Sequence, residues 1–377
     1  MIKLVDIYRT SNLSKYGLFL FVVLLVFVVA GPLLIPRFHG KISNQQIANI
    51  NGNHFKYNDE PQVSQFLQSI KSHNGYLVLG TSESGDIASG NYYNFLNNDT
   101  DITPRFSVLS GAGRTCGMHI PMFLNHRDES RGLKVIYLIN PAYWRANLCV
   151  TNKEYLTRYL NYNMCRNMTL SDEERAQFSF PIDAFSERLN IFERLLLSID
   201  YGFRNLRKCY FQDLRYHLNP RLYDNKFNYI PDDKVSLTNY EKFGEINTDE
   251  IDTVWNMIYS YTHQGWFRPV NETNENRTSE LRAFIAVCKA LGIKCTFILG
   301  PYNERFINNY SPEALAGYQR LAQNTKELLI TEDVDYIDAN DISAAPGAFV
   351  DHQHHSSYGA YLLYLKIKEH IHEAENN

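Results

Sequence analysis

The sequence predicts an α/β fold. It reads as an open parallel sheet of about five strands flanked by helices, with a helical insertion and an N-terminal transmembrane helix. Three observations predict it. Short apolar runs bounded by glycine or Asn-Pro recur along the chain, the signature of strands buried on both faces. These runs alternate with segments of helical spacing, as βαβ units do. One uncharged stretch, residues 17–35, breaks an otherwise polar composition.

The chain has 377 residues, 44% of them hydrophobic and 21% charged, and a formal net charge of -4. That length is room for one large domain or two, which excludes a stapled mini-protein. The balance of apolar and charged residues excludes wholesale disorder. With a net negative charge and no long basic run, nothing points to nucleic acid as a partner.

Residues 1–16 precede the apolar stretch and carry Lys3, Arg9 and Lys15. From Gly17 to Ile35 there is no charge, and at about 1.5 Å per residue the stretch just crosses a hydrocarbon core of about 30 Å. The positive residues ahead of it favour a cytoplasmic N-terminus, opposed only by Arg37 and Lys41 beyond it. The expectation is a single-pass cell-membrane protein whose remaining chain is extracellular or periplasmic. The alternative is a signal peptide cleaved near Val28-Val29-Ala30. Against it, Pro32 sits two positions past that point and apolar residues continue through Leu33, Leu34 and Ile35. Residues 36–72 read as a polar connector with short amphipathic patches.

The domain spans 73–377. Its first strand is the run Gly75 to Gly80, its second Phe106 to Leu109 before Ser110-Gly111, and its third Lys134 to Ile139 before Asn140-Pro141. Leu281, Phe284, Ile285 and Cys288 follow helical spacing that stops at Gly292, and Cys295 to Leu299 follows as a fourth strand. A helix from about Pro312 to Leu329, a fifth strand over Val334 to Ile337 and a last helix from about Ser357 to His372 complete the series. Between Cys149 and Asn276 the alternation disappears. Asp183 can cap a helix carrying Phe185, Leu189, Phe192 and Leu196, Asp249 to Gln264 reads as another amphipathic helix, and 219–248 reads as loop. Residues of about 150–275 are therefore a helical insertion.

The six cysteines show no CxxC spacing and are too few for a disulfide scaffold. Cys149, Cys165 and Cys209 leave room for one bridge in an oxidising compartment. Cys288 and Cys295 sit in apolar helix and strand patterns, as buried thiols do.

Ligands of open α/β sheets bind beyond the carboxyl ends of the strands. That rule selects Gly80-Thr81-Ser82-Glu83-Ser84, Ser110 to Thr115, Asn140 to Trp144, Pro301 to Glu304, and Asp351-His352-Gln353-His354-His355. A serine hydroxyl needs a base within reach and a third group to orient that base. Ser82, His354 and Asp351 fit these roles. His354 lies three positions after Asp351, a spacing that lets a carboxylate fold back toward the imidazole. Gly111 and Gly113 allow close backbone approach, so an amide there can donate to an oxyanion, and Asn140 can add a side-chain donor. Each residue also has a plainer reading. A serine after a strand is commonly a cap, and glycine and Asn-Pro commonly end strands. His352, His354 and His355 are too closely spaced to aim at one zinc ion without another segment.

Together, Gly80-Thr81-Ser82-Glu83, the turn at Gly111 to Gly113, the strand-ending Asn140 and Asp351-x-x-His354 resemble the ordered blocks of the SGNH/GDSL hydrolase superfamily. Within it the chain is most similar to the D-alanyl transfer protein (DltD) family, over residues 75–145 and 280–370. The resemblance implies a flavodoxin-like sheet, with Ser82 as nucleophile, His354 as general base and Asp351 as its orienting carboxylate. It implies transfer of an acyl group, such as D-alanine, to a cell-envelope polymer such as teichoic acid. The partner would be a multi-pass membrane-bound O-acyltransferase, and no metal or organic cofactor would be needed. Two positions depart from the family pattern: Thr81, where serine is more usual, and Asn140 to Trp144, where Ser-Pro-Gln-Trp is more usual. The same residues would equally serve a carbohydrate or lipid esterase or an exopolysaccharide O-acetyltransferase. A non-catalytic adaptor of a membrane acyltransferase would keep the fold and lose the chemistry.

Overall fold

The computed structural model describes residues 12–35, 61–84, 91–110, 115–139, 171–173, 190–222, 275–349 and 353–376, with the backbone alone at some of them, Ser82 included. The chain divides into two units. One contains residues 1–42 and 191–227, the other 43–190 and 228–377.

In the first unit, Asn12–Leu34 forms one helix, α1. The predicted span is not supported by the described residues, among which no helix is long and apolar enough to cross a membrane.

The second unit begins its described part with α2 (Pro61–Ser72). Val63, Phe66, Leu67 and Ile70 recur at i, i+3, i+4 and i+7 and are all buried. The last part of the polar connector is thus a helix packed on the domain. Then come β1 (Tyr76–Leu79), α3 (Tyr92–Asn98), β2 (Phe106–Val108), α4 (Ile120–Asn125) and β3 (Lys134–Ile139). The chain next contributes α5 (Ile191–Lys208) to the first unit. Phe192 and Leu196 lie on α5, whereas Asp183, Phe185, Leu189 and the helix predicted over 249–264 fall outside the described residues. The second unit resumes with α6 (Glu275–Leu291), β4 (Lys294–Leu299), α7 (Pro312–Thr331), β5 (Tyr336–Asp338) and α8 (Ser357–Asn376).

All strand pairs are parallel and their order is β2-β1-β3-β4-β5. That is the 2-1-3-4-5 order of flavodoxin-like sheets, in which successive connections leave β1 and β3 toward opposite sides and open a crevice between their carboxyl ends. Both faces are covered. Val78, Val108, Ile136, Leu138, Ile298 and Ile337 pack with Phe95 of α3 and with Leu363 and Ile367 of α8. On the other face Tyr137 and Phe297 meet Phe284 of α6, which also touches Phe123 of α4.

The helix ends follow local chemistry. Ser311 caps α7 by accepting from the Ala314 amide at 3.1 Å, with Pro312 in the first turn. Past α6, Gly292 turns left-handed (φ 62°) and the Ile293 amide reaches back to the Cys288 carbonyl at 2.8 Å. The fifth strand starts two residues later than predicted for a related reason. Asp333 is left-handed (φ 51°) and the Val334 amide closes α7 onto the Leu329 carbonyl at 3.2 Å, so it is not free to join the sheet.

Candidate functional site

Strand β1 ends at the crevice, and Gly80 to Ser84 follow it directly, with Ser82–Ser84 forming a single 3-10 turn. The turn is tied down on two sides. Buried Ser84 shares a hydrogen bond with the Tyr92 hydroxyl of α3 at 2.9 Å, and burial pushes the Tyr92 phenol up, well out of the titrating range near neutrality. From β2, the Ser110 hydroxyl donates to the Ser84 carbonyl at 2.7 Å. Ser110 immediately precedes Gly111 in sequence, so the end of β2 is held against the turn that carries Ser82. A Cβ on Gly80 would stand 2.7 Å from Ser84 Oγ, closer than packing allows.

His354 belongs to the short run leading into α8. It is half-buried, and the neighbours on either side of it, Gln353 and His355, are buried. The run is clamped to residues 347–349. His355 bridges Phe349 and its ring lies 5.5 Å from the Phe349 ring. The Ser356 amide donates to the Ala348 carbonyl at 2.9 Å, and the Ser356 hydroxyl donates to the Gly347 carbonyl at 2.5 Å. Ser356 also caps α8 by accepting from the Gly359 amide at 3.1 Å.

The two helices that follow these turns run in the same direction. Phe95 of α3 contacts Tyr361 and Tyr364 of α8, and Asp99 beyond α3 contacts Tyr364 and Lys368 further along α8. Their N-termini therefore lie toward one end of the domain, the carboxyl edge of the sheet. The Ser82 turn and the His354 run share that edge. Asp351, Gly111, Gly113 and Asn140 fall outside the described residues.

Three features of this edge are invisible in the sequence. The Thr81 hydroxyl is buried with no hydrogen-bond partner among the described residues. An unmet buried hydroxyl of this kind costs about 1–3 kcal/mol, and its position is one residue before Ser82. Second, the Ser84-Tyr92-Ser110 contacts join three segments that no motif links. Third, buried Glu280 of α6 accepts from the Thr115 hydroxyl, and from the Gly117 amide at 2.7 Å. It fixes the chain just past Arg114, and 165 residues separate Glu280 from Thr115.

Elsewhere, a concavity lined by Tyr76, Lys134 and Lys294 opens at the first residues of β1, β3 and β4, the opposite edge of the sheet. Among the described residues no three His, Cys, Asp or Glu side chains gather as for a metal ion. Cys209 and Cys288 are buried and Cys295 is half-buried, each as a thiol outside any disulfide. No protein-family model matches the chain, and no curated protein matches its sequence.

Proposed function

We propose that this protein is an anchored acyltransferase of the SGNH type, similar to the D-alanyl transfer protein family. It would act outside the membrane on a cell-envelope polymer, beside a multi-pass membrane-bound O-acyltransferase. The observation that carries the reading is the turn Gly80 to Ser84 at the β1/β3 crevice of a 2-1-3-4-5 sheet, where open α/β folds build their sites.

Ser82 Oγ attacks the acyl carbonyl of the donor while His354 takes the serine proton. The tetrahedral intermediate then expels the donor's leaving group, which carries that proton away, and leaves acyl-Ser82. In the second half a polymer hydroxyl gives its proton to His354 and attacks the same carbonyl, and Ser82 departs with the proton returned. Asp351 holds the imidazole tautomer that makes this possible. Amides at Gly111 and Gly113 and the Asn140 side chain donate to the oxyanion, each worth about 2.7–4 kcal/mol in the transition state. General-base assistance of the kind assigned to His354 contributes roughly 100 to 10,000-fold. These steps use side chains and backbone amides alone, so the reading assigns no metal or organic cofactor.

Membrane attachment through residues 17–35 belongs to the same reading. Leu18, Phe19, Leu20 and Phe21 stand at successive positions around α1, and each is between 62% and 67% exposed. An apolar helix uncovered around these four positions suits lipid better than water.

Intact mass of the full chain after incubation with an activated acyl ester tests the chemistry. An acyl adduct on the wild type that is lost in Ser82→Ala is the expected result. No adduct on the wild type, or an equal adduct on Ser82→Ala, overturns the acyl-serine step.

A further inference from the structure

Helix α5 carries a feature that acyl transfer does not use. Phe192, Leu195, Leu196, Ile199 and Phe203 fall within about 100° of arc on a 3.6-residue helix. In a folded protein such a stripe faces a core. Here the five side chains are 45% to 73% exposed, and Phe211 and Leu218 continue the apolar surface past the end of the helix. The same segment is basic. Residues 191–222 hold six Arg or Lys against three Asp or Glu, in a chain whose net charge is -4.

The first unit also fixes where this helix sits. Helices α1 and α5 pack against each other. The Cys209 thiol, directly after α5, donates to the Ile35 carbonyl at 3.8 Å, directly after α1. The end of α5 is therefore held where the apolar stretch 17–35 stops, at the depth of lipid headgroups if α1 spans.

We propose that α5 lies in the plane of the membrane, its Phe192-to-Phe203 stripe sunk among the acyl chains and its basic residues against anionic headgroups. High amphipathicity, modest overall hydrophobicity and excess Arg and Lys are the properties of helices that bind at this boundary, with the apolar face about 5–10 Å deep. The occupant of the stripe is the anionic leaflet that α1 reaches at Ile35. The inference rests on the span proposed above. Its consequence is that the insertion gives the membrane a second attachment point in addition to the single helix.

The test reconstitutes the full chain into vesicles of equimolar phosphatidylcholine and phosphatidylglycerol. A photoactivatable benzophenone amino acid is placed singly at Phe192, Leu195 or Ile199, at position 204 or 208 on the other side of the helical wheel, and at Phe21 within the span. Mass spectrometry reads the adducts. Lipid adducts at Phe192, Leu195 and Ile199 about tenfold above those at positions 204 and 208 are expected for an interfacial helix. Lipid adducts at Phe21 but none at Phe192, Leu195 or Ile199 overturn the in-plane helix and leave the span standing. Adducts at Phe192, Leu195 and Ile199 without any at Phe21 overturn the span instead. Crosslinks from Leu195 to a second copy of the chain, or to co-reconstituted protein, in place of lipid also overturn the proposal.

Discussion

At the residue scale, the run that carries His354 depends on Gly359. A Cβ at that position would lie 2.0 Å from the Ala348 carbonyl oxygen, a contact with backbone that no rotamer change relieves. The same carbonyl receives the Ser356 amide and so helps hold the run in place. In an ordinary helix, Gly→Ala is favourable by roughly 0.5–1 kcal/mol. Here Gly359→Ala should instead destabilise by about 3 kcal/mol or more. Urea unfolding gives the sign directly, and acylation of Ser82 should slow in the variant because the His354 run must shift. The position of Ser82 in the turn after β1 was legible from Gly80-Thr81-Ser82-Glu83. The close contact at Gly359 was not, because nothing in Ser-Tyr-Gly-Ala shows that another backbone segment lies against that glycine.

At the element scale, helices α3 and α8 are joined around Asp99. Its carboxylate accepts from the Tyr364 hydroxyl at 2.6 Å and the Asp101 amide at 2.9 Å, and it pairs with Lys368 at 2.7 Å. Burial alone would raise the Asp99 carboxyl, but the hydrogen bonds from Lys368, Tyr364 and the Asp101 amide outweigh it and hold the group below its ordinary value of 3.8. The Tyr364 phenol is pushed up to about 12, by burial first and by Asp99 second. Because the folded-state value of Asp99 is depressed, its contribution is complete above pH 3.8 and is lost as pH falls through the lower folded value. Asp99→Asn should cost about 1–3 kcal/mol at neutral pH. The gap between wild type and variant should close as the solution is acidified below pH 3.8, which stability curves taken across that range will read. The elements were the most legible part of the sequence. Strands buried on both faces give runs such as Lys134 to Ile139, and Gly292 and Ser311-Pro312 punctuate the helices. What misled was hydrogen-bond allocation: Val334 reads as strand, yet its amide closes α7.

At the scale of the whole molecule, the carboxyl edge is assembled from segments far apart in the chain. Glu280 reaches across from α6 to Thr115 and Gly117. Glu280→Ala should strand two buried donors at about 1–3 kcal/mol each and slow acylation at Ser82. Glu280→Gln keeps an accepting oxygen and should retain most of both, so thermal melts and adduct rates on the two variants separate a lost hydrogen bond from a lost charge. The amphipathic helix α5 belongs to this scale too. The sequence marked Phe192 and Leu196 as one apolar face, but the uncovered state of that face and its tie to Ile35 follow from tertiary contacts. By itself, the sequence determined the α/β class, the five strands and the candidate residues Ser82 and His354, because strand burial and turn chemistry are written in local residue patterns. Only the tertiary structure decided the 2-1-3-4-5 order, the common edge of the Ser82 turn and the His354 run, and the buried contacts of Ser84, Tyr92 and Glu280. These depend on which distant segments pack together, and close packing across 165 residues leaves no periodic trace in the chain.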